Sequence, residues 1–215
     1  MLALAAALAL GPVAARAGQV LVALGDSLTQ GYGLPQGEGF VPQLEAWLRA
    51  QGADVRVVNA GVSGDTTAGG LSRLDWTLAE GADAMIVALG GNDLLRGIDP
   101  DVSRANLDQI LARATGQGVD VLLVPMEAPG NYGPDYRDRF DAIFPDLSAR
   151  YGVPLGPSFL APIVKDIEDA AAVRALMQSD GLHPSAEGVA RIVEALGPHV
   201  LKLLARAAGA APAGG

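Results

Sequence analysis

At 215 residues the chain is long enough to bury one sizeable hydrophobic core and short for two domains. Half of its residues are apolar and 18% are charged, which excludes an intrinsically disordered chain, while a net charge of −9 without any Lys/Arg-rich stretch argues against a sequence-independent grip on nucleic-acid phosphates. The absence of Cys removes disulfides, thiolate metal sites, iron–sulfur clusters and a Cys nucleophile together, and with two His any metal chemistry would lean on carboxylates.

In chain order, residues 2–10 (LALAAALAL) form a continuous apolar run, followed by Gly11-Pro12 and then Ala15-Arg16-Ala17, a small-x-small cleavage pattern. The run is too short to span a bilayer, which takes about 20 residues. Residues 1–17 therefore predict a signal peptide, atypical in lacking a basic residue ahead of the run, that directs the rest of the chain to the periplasm or the medium. Residues 18–207 are expected to form one domain and 208–215, rich in Ala, Gly and Pro, a flexible tail.

Within that domain, residues 19–24 (QVLVAL), 55–59 (VRVVN), 84–89 (AMIVAL) and 119–124 (VDVLLV) are continuous apolar segments, as strands buried on both faces should be. A shorter strand is expected near 153–155. Residues 40–51, 66–80, 101–117 and 185–207 carry apolar residues at three- and four-residue spacing and predict helices. This alternation implies a mostly parallel sheet covered by helices on both faces. An irregular stretch, 125–136 (PMEAPGNYGPDY), follows the fourth strand, and loops of that length in compact domains are commonly functional.

Ligands of open parallel sheets bind at the carboxyl ends of the strands. Here three strand ends are followed by small and polar residues: Gly25-Asp26-Ser27-Leu28-Thr29, Asn59-Ala60-Gly61-Val62-Ser63-Gly64-Asp65, and Gly90-Gly91-Asn92-Asp93. Each alone is ordinary turn and cap chemistry; together they converge on one rim. Far along the chain stands Ser179-Asp180-Gly181-Leu182-His183-Pro184, where two residues separate an Asp from a His. That spacing lets the carboxylate accept from imidazole Nδ1–H, leaving Nε2 as a base, although a capped helix start with an incidental surface His fits the same residues. His199, inside the last helical pattern beside Pro198, has no acid or hydroxyl at a telling spacing and is expected to be packed or solvent-facing.

These four pieces, in this order, resemble the blocks of the SGNH (GDSL) hydrolase family, from about residue 19 to residue 206. Residues 63–67 (SGDTT), 90–97 (GGNDLLRG) and 128–133 (APGNYG) are similar to its exported bacterial branch of acyl-CoA thioesterases, lysophospholipases and arylesterases. The resemblance implies a three-layer α/β/α, flavodoxin-like fold with a mostly parallel five-stranded sheet. It further implies that Ser27 is a nucleophile, His183 its base and Asp180 the residue orienting that base. The oxyanion would be met by the backbone N–H groups of Ser27 and Gly64 and the side-chain amide of Asn92. Because Gly25-Asp26-Ser27-Leu28-Thr29 is not the Gly-x-Ser-x-Gly elbow, a fold other than the α/β-hydrolases is expected to run the same chemistry.

Candidate substrate contacts are Asp26, Leu94, Asn131, Tyr132 and Leu182, with Asp26 read chiefly as a structural residue of the first turn and Asp65 and Asp93 as loop or cap residues. No cofactor and no metal are expected. Asp26, Asp65 and Asp93 could form a carboxylate cluster, but the loops offer Asn and Gly where a phosphoryl-transfer site would place Lys or Arg. The expectation is a monomeric serine esterase or thioesterase acting on aryl, acyl or lysophospholipid-type carboxylic esters or thioesters through an acyl-enzyme on Ser27, with no nucleic-acid partner and no stable membrane anchor after cleavage of the leader. The competing readings are a carbohydrate O-acetyl esterase of the same family and a non-catalytic module binding small molecules or glycans.

Overall fold

Four parallel strands form the spine of the computed structural model, which describes residues 18–165 and 169–210. They are β1 (Gln19–Gly25), β2 (Val55–Gly61), β3 (Ala84–Ala88) and β4 (Asp120–Leu123), in the order β2-β1-β3-β4. In register, Gly25 of β1 stands beside Gly61 of β2 and Ala88 of β3, so the three strands end at one edge. The loops that leave that edge are those with the small and polar residues.

The expected fifth strand is reduced to a single parallel bridge between Leu123 and Leu155. Leu123 N–H donates to Pro154 O at 3.0 Å and Gly156 N–H to Leu123 O at 2.8 Å. Pro154 on this segment and Pro125 after β4 lack the N–H groups that would extend the ladder in either direction. β2 also departs from the two-sided burial read from its composition: as an edge strand it alternates, with Arg56 and Asn59 exposed.

The helices follow in order: α1 (Ser27–Gln30), α2 (Phe40–Ala50), α3 (Thr67–Ser72), α4 (Leu74–Leu78), α5 (Gly91–Leu95), α6 (Pro100–Gly116), α7 (Pro134–Asp141), α8 (Ile143–Tyr151), α9 (Ala161–Val164), α10 (Ala170–Ala175) and α11 (Ala186–Ala210). α2 buries Phe40, Val41, Leu44 and Leu48 on one stripe and packs on β2 and α11; α6 covers the other face together with α3, α7 and α8. The helix expected over 66–80 is broken at Arg73, which leaves helical geometry while its side chain donates to Gly25 O at 2.9 Å and pairs with Asp65 at 2.6 Å. Pro134 opens α7 at a position where a missing N–H costs nothing, so the irregular stretch 125–136 ends in a helix.

α11 continues to Ala210, three residues into the expected tail, and accommodates Pro198. Residues 1–17, the expected leader, and residues 211–215 lie outside the described residues. Among the described residues no helix is long and apolar enough to cross a membrane.

Candidate active site

β1 delivers the chain to a tight turn. A Cβ on Gly25 would run into the Thr29 hydroxyl, so glycine is required where α1 folds back on the strand. Asp26 then caps α1, its Oδ1 accepting from Leu28 N–H at 3.0 Å. Ser27 is the first residue of α1 and borders a cleft at the strand ends.

The second loop folds against the first, with Val62 N–H donating to Gly25 O at 3.2 Å. Gly64 has φ +83°, a left-handed conformation that favours glycine, and its carbonyl accepts from Arg96 Nη2 at 2.8 Å. From the third loop, α5 brings Asn92 to the same cleft, where Asn92 Nδ2 donates to Asp26 Oδ2 at 3.2 Å. Behind it the buried carboxylate of Asp93 accepts from Thr67 N–H at 2.8 Å, Thr67 Oγ1 at 2.6 Å and Ser103 Oγ at 2.8 Å, binding α5 to α3 and α6.

The last piece is a turn between α10 and α11. Asp180 Oδ1 accepts from the N–H groups of Leu182 and His183 at 2.9 and 3.1 Å, and its Oδ2 lies 2.6 Å from His183 Nδ1. The hydrogen bond from His183, followed by those two N–H groups, holds the Asp180 carboxyl down to about 2, so it stays ionised across the working range of pH. On the opposite side of the imidazole, Nε2 lies 2.9 Å from Ser27 Oγ. A hydroxyl in that position can pass its proton to the imidazole as it attacks a carbonyl carbon.

Burial pushes the Asp26 carboxyl up to about 6, against the Leu28 N–H and Asn92 amide bonds that pull it down. Asp26 is 2% exposed, and its oxygens face those two donors on the floor of the cleft. The other candidate contacts, Leu94, Asn131, Tyr132 and Leu182, also border the cleft, whose volume is about 630 Å³. Asp65 is instead paired with Arg73, and His199 lies half-buried in α11, outside the cleft lining.

Sequence reasoning missed one wall of the cleft, formed by Leu160, Ala161 and Val164 in and beside α9, and missed Tyr32, whose ring packs 4.8 Å from that of His183. No local pattern marks either; both reach the cleft through the tertiary fold. Among the described residues no three His, Asp or Glu side chains converge as metal ligands.

Comparison with known proteins places this geometry in context. The GDSL-like lipase/acylhydrolase family model matches residues 23–191. Esterase TesA of Pseudomonas aeruginosa is 40% identical over 189 residues, covering 87% of this chain and 90% of that protein. The Escherichia coli K12 protein named thioesterase 1/protease 1/lysophospholipase L1 is 36% identical over 173 residues, covering 80% of this chain and 78% of that protein. Among solved structures, the SGNH-hydrolase family esterase AlinE4 is 43% identical and superposes with a TM-score of 0.70 over 87% of this chain and 97% of its own.

Proposed function

The chain belongs to the GDSL-like lipase/acylhydrolase family, and on that premise we propose that it hydrolyses short- to medium-chain acyl or aryl esters and thioesters through an acyl-enzyme on Ser27. That it is a serine hydrolase of carboxylic esters or thioesters follows from its relatives; the residue roles and the substrate range are our reading. The observation that carries the residue assignment is the continuous line from Asp180 Oδ2 through His183 to Ser27 Oγ, with spacings of 2.6 and 2.9 Å.

In the first half-reaction, Ser27 Oγ attacks the acyl carbon while its proton moves to His183 Nε2. The carbonyl oxygen gains a negative charge, which in this reading is met by the N–H groups of Ser27 and Gly64 and the Asn92 amide. Collapse of this intermediate breaks the C–O or C–S bond, and His183 returns the proton to the departing alcohol or thiol. Water then attacks the acyl-enzyme, giving a proton to His183; the carboxylic acid leaves and Ser27 recovers its hydrogen. Asp180 stays ionised throughout and holds the imidazole with Nε2 toward Ser27.

The acyl or aryl group would lie in the cleft among Leu94, Met126, Asn131, Tyr132, Leu160 and Ala161, which are mostly apolar. Residues 1–17 serve export in this reading, placing a monomeric enzyme without a membrane anchor in the periplasm or medium, where lipid-derived and environmental esters are the available substrates. Release of p-nitrophenol from esters of graded chain length tests the substrate class: turnover from acetate to medium-chain esters is expected. Activity confined to acetylated sugars would overturn it.

A further inference from the structure

Ser27 and His183 lie 156 positions apart, on separate loops, yet their side chains must stay within hydrogen-bond reach. One side chain outside the cleft ties the two loops together. Gln178 precedes the His183 turn and is bonded to it through the backbone, its N–H donating to His183 O at 2.7 Å. Its side-chain Nε2 donates both to Pro184 O at 3.0 Å and to Tyr32 O at 2.8 Å, using both hydrogens of one amide nitrogen. Tyr32 is in turn joined to the nucleophile, its N–H donating to Ser27 O at 3.1 Å, and its ring packs on His183.

From this chain of contacts we infer that Gln178 is a positioning residue that sets the spacing between Ser27 and His183. The inference rests on the roles proposed for those two residues. Next to Tyr32, Gly33 has φ +75°, and a Cβ there would collide with Gln178 Oε1, so the Tyr32 loop is shaped to admit this amide. α11 has its own anchor beyond the turn, Gln43 Nε2 donating to Ala186 O at 3.1 Å. Loss of the Gln178 amide therefore loosens the turn carrying His183 without releasing the helix that follows it.

Two substitutions separate positioning from packing. Gln178→Met keeps length and volume and removes both donors; Gln178→Glu keeps the shape but turns carboxylate oxygens onto two carbonyl oxygens. The expected result is a kcat lower by about 10- to 100-fold, more for Glu than for Met, since displacements near 1 Å cost that much in an aligned site. KM should stay within about twofold, because Gln178 lies outside the cleft and the shift its loss allows acts on the Ser27–His183 spacing rather than on the acyl-binding wall. The rate of fluorophosphonate labelling of Ser27 should fall in parallel with kcat, while the thermal midpoint of the Met variant changes little. If Gln178→Met does not fold, Gln178→Asn, which keeps the amide but withdraws it by one methylene from Tyr32 O and Pro184 O, supplies the same test and should give the same loss confined to kcat.

Wild-type kcat in a folded Gln178→Met protein overturns the inference, as does a fall in kcat with unchanged labelling of Ser27 or one matched by loss of folded protein. Ser27→Ala, assayed alongside, keeps the outcomes apart. Activity in that variant sinks the proposed mechanism itself, whereas an inactive Ser27→Ala beside a fully active Gln178→Met sinks only the role of Gln178.

Discussion

The carboxylate of Asp26 holds the side-chain amide of Asn92 at 3.2 Å while capping the helix that begins at Ser27. One buried acid thus holds the Asn92 amide directly and, through the Leu28 N–H, the first turn of the helix that begins at Ser27. Asp26→Asn offers a single oxygen and must give up either the cap or the Asn92 anchor. A loss of roughly 100-fold in kcat is expected from a misplaced donor, read from steady-state rates on a p-nitrophenyl ester. Unchanged rates would detach Asp26 from the chemistry.

The same substitution tests the electrostatics of the floor. The folded-state pKa of Asp26, about 6, lies above the value of an unfolded aspartate, so ionising it costs stability. The penalty is absent below about pH 4, grows between about pH 4 and 6, and is complete above, at up to about 3 kcal/mol. Asp26→Asn does not titrate. The unfolding free energy of the variant relative to wild type should therefore rise across that window in denaturant titrations, and a flat difference would contradict burial as the cause.

Removing the Asn92 amide outright should be severe. Asn92→Ala is expected to lower kcat by about 100- to 1000-fold with little change in KM, the usual cost of one oxyanion donor. Asp180→Asn should lose on the order of 10⁴-fold, because the amide favours the wrong imidazole tautomer.

The wall formed by α9 makes a prediction about chain length. Ala161 lines the cleft, and Ala161→Phe fills part of its roughly 630 Å³. Hydrolysis of p-nitrophenyl acetate should be retained while kcat/KM for medium-chain esters falls about tenfold or more, the scale on which apolar pockets discriminate methylenes. Equal effects on all chain lengths would place the acyl group elsewhere.

Asp93 is predicted to matter through stability. It is fully buried and accepts three hydrogen bonds, so Asp93→Ala leaves Thr67 N–H and the hydroxyls of Thr67 and Ser103 without this acceptor. A loss of about 3–5 kcal/mol is expected, lowering the thermal midpoint by roughly 10 °C. Calorimetry checks this directly.

The strand–helix alternation is legible in the sequence because 19–24 and 84–89 are continuous apolar runs, and in the structure β1 and β3 are buried on both faces. The rim loops are legible because a parallel sheet brings all its carboxyl ends to one edge, where Gly25, Gly61 and Ala88 stand in register. Departures arise where tertiary contacts outweigh local pattern. Arg73 leaves a helical run to reach Gly25 O and Asp65, and Pro154 and Pro125 confine an expected strand to one bridge. The α9 wall and the Tyr32–Gln178 contact join segments distant in the chain, and no spacing rule links residues 146 positions apart.

The most direct test is mass spectrometry of the protein after fluorophosphonate treatment, paired with the ester activity of Ser27→Ala. A single adduct on the peptide containing Ser27, absent from His183→Ala, together with loss of hydrolysis in Ser27→Ala, is the expected result. An adduct on another residue, or wild-type hydrolysis by Ser27→Ala, would contradict the assignment of Ser27 as the nucleophile.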